Sequence, residues 1–348
     1  MPNKKQQGMV LIIVLWFIIL VTILVFTLAS ETRLSATMVS HHQQAVMQRA
    51  DLLKALRLAE MELLLSRMPE PPKKDNEEEL EDRKNPYYRF DGRPLTLSYP
   101  NQPENIVIRI YDHAGRLNLR RLAPHQMQAL LTRYIGTEDK ERLNQLMDAW
   151  QDWIDPDDLE RLNGAESKYY QDLENPYEPR QGLLETVEEL LLIRGFAEIF
   201  TLRDLNSAFT IYGNNNGINP NLASREILET VPGLSAESIE KILQARQEKE
   251  FKNNQDLNEI MEATELNEFI PWIHFTNSSF YTIALQIIDP NITTPPDPDE
   301  VQQAFMVTVQ VMGTSRPPQV LRVDPYGVLP DSGYAFLPAI DKAEDNIN

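Results

Sequence analysis

Apolar and polar positions alternate with different rhythms along this chain, and the rhythms divide it. From Gln6 to Ser30 no residue is charged, and Met9 to Ala29 is almost wholly apolar. About 20 such residues span a bilayer as a helix. Glu31 to Arg67 then contains no Gly and no Pro, and Leu52, Leu56, Ala59 and Leu63 recur on one helix face. Pro69, Pro71 and Pro72 end the pattern. The expectation is one helix from Met9 to Met68, on the order of 90 Å long at 1.5 Å per residue. Its first half is apolar all round and suits lipid. Its second half is amphipathic and suits packing on a soluble domain.

A Pro-rich, then charged stretch from Pro69 to Arg83 reads as a solvated loop. Strand-like runs follow at Leu95–Tyr99 and Asn105–Asp112, with Gly115 at a tight turn and a short strand after it. Leu122 to Phe275 is patterned for helices. Pro124 opens one, and Thr137-Glu138-Asp139-Lys140 caps another. Alternation returns at Phe280–Ile288, Ala304–Met312 and Gln319–Asp324. A helical block thus interrupts a sheet. The predicted fold class is α+β, with a long N-terminal helix packed on an antiparallel sheet and a large all-helical insertion between strands. After Asp324 the prolines predict a largely irregular tail with its last eight residues frayed.

The 348 residues carry 33 basic and 52 acidic side chains, a formal charge of −19. Length predicts about two domains, and the acidic balance argues against a polyanion as main partner. With no cysteine, disulfides, zinc–thiolate sites and thiol nucleophiles are excluded. Lys4 and Lys5 before the apolar run place the N-terminus in the cytoplasm. Everything after Ser30 is then periplasmic in a Gram-negative bacterium. A cleaved secretory signal is the rival reading, but its apolar region runs only about 7–15 residues.

The densest acidic run is Asp152-Trp153-Ile154-Asp155-Pro156-Asp157-Asp158, followed by Glu166. Clustered carboxylates repel unless a cation sits among them, and calcium takes hard oxygen ligands at short spacing. Counting from Asp155, Asp157 and Glu166 fall at EF-hand positions 3 and 12, but Leu159 and Glu160 stand where a ligand and a glycine are needed. Three readings stay open: a solvated acidic turn, an irregular calcium loop with Asp158 as a spare ligand, and a catalytic carboxylate pair. An anchored hydrolase using Asp155 and Glu166 is the functional form of the last.

Two helical segments meet at Pro232-Gly233-Leu234, which looks like a helix–hairpin–helix turn. Such hairpins hold phosphate on backbone N–H groups. Here five basic residues face nine acidic ones between Asn219 and Glu262, so no nucleic-acid partner is expected. A membrane-anchored hairpin DNA-binding protein is kept as the alternative. The five histidines form no zinc pair, and HExxH, Walker, GxSxG and GxGxxG motifs are absent. No enzyme activity is expected.

The short basic leader ending at Gly8, with an apolar helix at once, resembles type IV pilin-like proteins. The resemblance implies prepilin-peptidase cleavage after Gly8 and N-methylation of Met9. Most pilins carry glutamate at the fifth mature position, where this chain has Ile13. A buried α-amino group in lipid needs a carboxylate partner. A subunit with Ile13 cannot neutralise a neighbour's N-terminus, which suits a filament tip. That departure, together with Asp152–Tyr170, Pro176-Tyr177, Gly182, Val187-Glu188-Glu189-Leu190 and Ile193-Arg194-Gly195, resembles the protein K family of type II secretion minor pseudopilins.

The resemblance implies a leader at 1–8, a transmembrane part at 9–30 and a periplasmic helix at 31–68. It implies a pilin-like domain at 69–121 and 277–324, interrupted at 122–276 by an inserted helical domain of SAM or helix–hairpin–helix type, and a tail at 325–348. It further implies a single-pass inner-membrane protein partnered by the minor pseudopilins I and J, by prepilin peptidase, and by the outer-membrane secretin or cargo. Members of the family bind calcium in the inserted domain. The role is carried here to Asp155, Asp157 and Glu166, with Asp158 as a spare, and the ligand assignment rests on spacing.

Overall fold

The computed structural model describes residues 4–68, 90–288 except 96, 98, 101 and 104, and 303–330. The expected loop at 69–83 and the tail beyond 330 lie outside the described residues. So do residues 1–3 of the leader.

Helix α1 runs Lys4–Leu65, as the absence of Gly and Pro between Met9 and Met68 allows. Two compact units divide within it, Met1–Lys54 and Ala55–Asn348. In the first unit Leu11 to Leu28 present their large apolar side chains outward, Ile13 among them. The helix is long and apolar enough to cross a membrane by length and composition. Its hydroxyls are satisfied internally. Thr22, Ser30 and Thr32 donate to the carbonyls of Ile18, Phe26 and Leu28, four residues back. None of these three hydroxyls is left to face lipid unpaired.

In the second unit the end of α1 buries Ala55, Leu56, Ala59 and Leu63, three of them on the predicted stripe. The Tyr99 hydroxyl donates to buried Glu62, and Arg67 donates to the Tyr281 hydroxyl at 2.8 Å. The helix end is thus tied to a strand of the sheet.

The chain continues through β1 (Asp91–Pro94), β2 (Ile106–Asp112), β3 (Leu117–Asn118), α2 (Pro124–Ile135), α3 (Lys140–Ile154), α4 (Ser167–Gln171), α5 (Leu202–Ala208) and β4 (Phe209–Thr210). Then come α6 (Arg225–Thr230), α7 (Ala236–Glu248), α8 (Asn254–Asn258), α9 (Ala263–Phe269), β5 (Phe280–Ile287), β6 (Gln303–Gln310) and β7 (Gln319–Val328). The main sheet has the order β1-β2-β5-β6-β7, and each neighbouring pair is antiparallel. Residues on both faces of its middle are covered: Ile110, Ile283, Ala284, Val307 and Val309 are almost wholly buried.

Strands β2 and β5 pair from Ile106 with Ile287 to Asp112 with Tyr281. The whole helical domain therefore leaves and re-enters the sheet at one point. It has its own core, built on Trp150, Trp153, Tyr170, Phe196, Phe209 and Phe269.

Three strand expectations are corrected. The strand expected at Leu95–Tyr99 lies earlier, at Asp91–Pro94, where Gly92 has φ +93° and packs its bare Cα face against the Tyr111 ring. Its Asp-Gly-Arg-Pro sequence carries no apolar alternation to read. The helical block also holds β4, two residues that pair in parallel with β3. Finally, β7 runs four residues past Asp324, through Pro325. It is the outer strand of the sheet, with a register shift opposite Ala304–Met306, and an edge tolerates proline.

Candidate cation site and helical hairpin

Helix α3 begins where the Asp139 side chain accepts the Arg142 N–H at 3.0 Å. It stops at Asp155 because Pro156 disfavours a helical residue before it. The last turn carries Asp152 inward, wholly buried. Its Oδ2 accepts the N–H groups of Arg161 (3.2 Å) and Ala165 (2.9 Å), which closes the following loop. A Cβ on Gly164 would lie 1.8 Å from that same oxygen, so only glycine fits there. Further bonds fix the loop. Asp148 accepts from Asn163 N and Nδ2, and Asp158 accepts Ser167 N.

The loop brings three of the four predicted ligands together. Oxygens of Asp155, Asp157 and Glu166 all lie within 4.8 Å of one another. Asp158 is not in that group and serves the Ser167 N–H instead. Glu166 is 3% exposed, and neither of its carboxylate oxygens has a hydrogen-bond partner; the same holds for Asp155 Oδ1. Burial, then the charges of Asp152, Asp155, Asp158 and Asp157, push the Glu166 carboxyl up to about 7. Buried orphan oxygens among negative neighbours fit a hard divalent cation, which takes 6–8 oxygen ligands when it is calcium. Asp155, Asp157 and Glu166 are the residues that would hold it.

Sequence reasoning missed Arg161. Its Nη1 stands 2.5 Å from Asp152 Oδ1 and 2.5 Å from Asp155 Oδ2. Those two carboxylates hold the guanidinium firmly charged. A basic residue inside the acidic run was the available signal.

The hairpin is present, with α6 and α7 flanking Gly233 at φ +93°. Its phosphate position is filled by the protein. Ser235 caps α7 by accepting the Ser238 N–H, and Ser238 Oγ donates to Glu265, whose carboxyl is held below its usual range by Ser238 and Ser235. Four of the five basic residues between Asn219 and Glu262 are engaged too. Arg225 pairs with Glu240, Lys241 with Glu237 and Lys249 with Asp256, while buried Arg246 donates to the Pro220 and Ala223 carbonyls.

A cavity between the inserted domain and the sheet is lined by His113, Thr210, Tyr212, Thr282, Thr308 and Arg322, among others, and takes no residue of the acidic loop. The acid pair Asp155 and Glu166 therefore does not line this cleft.

Residues 115–208 match the family model described as type II secretion system, protein K. The fold is similar to a chain in the crystal structure of the GspK-GspI-GspJ complex from enterotoxigenic Escherichia coli, with a TM-score of 0.52 and 18% identity over 83% of this chain and 97% of that one. No curated protein sequence matches. Residues 115–208 thus carry a domain of the type II secretion protein K family.

Several residues that carry the resemblance are placed for physical reasons. Arg194 donates to the Gly164 carbonyl at 2.9 Å and lies 4.7 Å over the Tyr169 ring. Its own N–H meets the Tyr170 hydroxyl, and Tyr170 packs edge-on against Trp153. Gly195 takes φ +82° with Leu146 against it. Arg194, Tyr169 and Tyr170 thus stand together beside Gly164 of the acidic loop.

Proposed function

We propose that this chain is a structural, non-enzymatic minor pseudopilin, held in the inner membrane by the apolar part of α1 with its bulk in the periplasm. The observation that carries the reading is the protein K match on the domain inserted between β2 and β5. In the reading, prepilin peptidase cuts between Gly8 and Met9, and Met9 is methylated. Ile13 in place of a carboxylate leaves the subunit unable to neutralise a following subunit's amino group, so it occupies the pseudopilus tip. The inserted domain adds bulk that blocks addition above it and offers a surface to the secretin or cargo. Proteins I and J are the partners. The solved structure with a similar fold is titled as a complex with those two.

Calcium, in the same reading, sits at Asp155, Asp157 and Glu166. It supplies positive charge to buried carboxylates and fastens the loop; it performs no reaction. The filled helix N-terminus and the acidic surround of α6 and α7 count against the DNA-binding alternative.

Co-expression of the full chain with proteins I and J tests the partnership. A ternary complex that survives detergent extraction and size exclusion is expected. Elution of this chain alone contradicts it.

A further inference from the structure

Arg161 is the one basic side chain paired to the acidic loop's carboxylates among the described residues, and its placement is specific. It takes Asp152 Oδ1 and Asp155 Oδ2. The oxygens it leaves are Asp155 Oδ1 and both oxygens of Glu166, the unpartnered set. Guanidinium and divalent ion thus use different oxygens and share Asp155.

The guanidinium is one of several fastenings of the loop. Backbone N–H groups of Arg161 and Ala165 on Asp152, of Asn163 on Asp148 and of Ser167 on Asp158, with the Arg194 guanidinium on the Gly164 carbonyl, fix its course as well. What Arg161 adds is charge. Asp152, Asp155, Asp157, Asp158 and Glu166 crowd one site, and a fixed positive charge there relieves their repulsion before any ion arrives. The same charge then repels an incoming cation.

We propose that Arg161 is a resident counter-cation that keeps the ion-free loop folded and sets the calcium affinity lower than the bare carboxylates would give. This rests on the calcium reading above. Affinity in such sites follows ligand charge count and rigidity, and Arg161 subtracts from the first while the backbone bonds supply the second.

The test is calcium titration calorimetry on the full chain in detergent, with Arg161→Gln and Arg161→Lys, beside thermal unfolding in chelator. Arg161→Gln is expected to bind calcium at least tenfold more tightly and to melt at lower temperature without calcium. Arg161→Lys keeps the charge and is expected to stay within about threefold of the unaltered chain. Loss of a merely structural bond would weaken binding and stability together. Unchanged or weaker binding by Arg161→Gln, with the unaltered chain binding normally, overturns the proposal alone. No calcium uptake by the unaltered chain overturns the calcium reading and this proposal with it.

Discussion

Both carboxylate oxygens of Asp112 accept the backbone N–H of Ser278, each at 3.2 Å, across 166 residues of chain. The same Asp112 Oδ1 accepts Ala114 N at 2.8 Å. One buried side chain at the end of β2 therefore fastens both stems of the inserted domain where they leave the sheet. Ala substitution at Asp112 strands two buried N–H groups. A loss of about 2–6 kcal/mol is expected in denaturant unfolding, at about 1–3 kcal/mol per unpaired group. A change below about 0.5 kcal/mol would show that the stems do not need the clasp.

Gly164→Ala places a methyl group against Asp152 Oδ2. The oxygen must move off Ala165 N or the loop must shift. The expected cost is about 1–3 kcal/mol, as for other overpacked sites. Calcium affinity falls with it, because the loop carrying Glu166 is displaced. Denaturant unfolding and calcium titration of the one variant check both.

His113 is buried between two hydroxyls, with Nδ1 at 2.6 Å from Thr210 Oγ1 and Nε2 at 2.8 Å from Thr282 Oγ1. The Tyr212 ring packs edge-on against it, and Arg116 adds positive charge nearby. Burial, then Arg116, hold its pKa well below 6.5. The unfolded chain therefore takes up a proton that the folded one refuses. Stability from this site is present above about pH 6.5 and is lost as pH falls below it. Glu166, raised to about 7, slopes the other way over this range, so the His113 contribution is read as the difference between the unaltered chain and His113→Gln in chemical unfolding from pH 7.5 to 5.

Removing calcium lowers stability if Asp155, Asp157 and Glu166 bind it only in the folded state. At calcium one hundred times above the dissociation constant the shift is about 2.7 kcal/mol. Thermal unfolding of the full chain with calcium and with chelator measures it. Glu166→Gln should abolish the difference between the two conditions.

Much of this fold was legible because its parts repeat at a fixed period. The buried stripe on α1 and the alternation of β5 and β6 follow directly from apolar spacing. Strand β1 was hidden because its residues are polar and it is held by backbone bonds, Leu95 N to Ile108 O among them. The end of β7 was hidden by Pro325, which reads as a breaker unless the strand is known to be an edge. At the acidic site the grouping of Asp155, Asp157 and Glu166 could be read from their short spacing. The pairing of Arg161 could not be read, because it depends on the loop folding back over nine residues to Asp152.

In the proposed function this chain enters a pseudopilus as a processed pilin-like subunit. The mass of its mature N-terminus, after expression with and without prepilin peptidase, tests that most directly. The account predicts a peptidase-dependent product beginning at N-methylated Met9. An intact leader in the presence of active peptidase, or cleavage near Ala29, would contradict it.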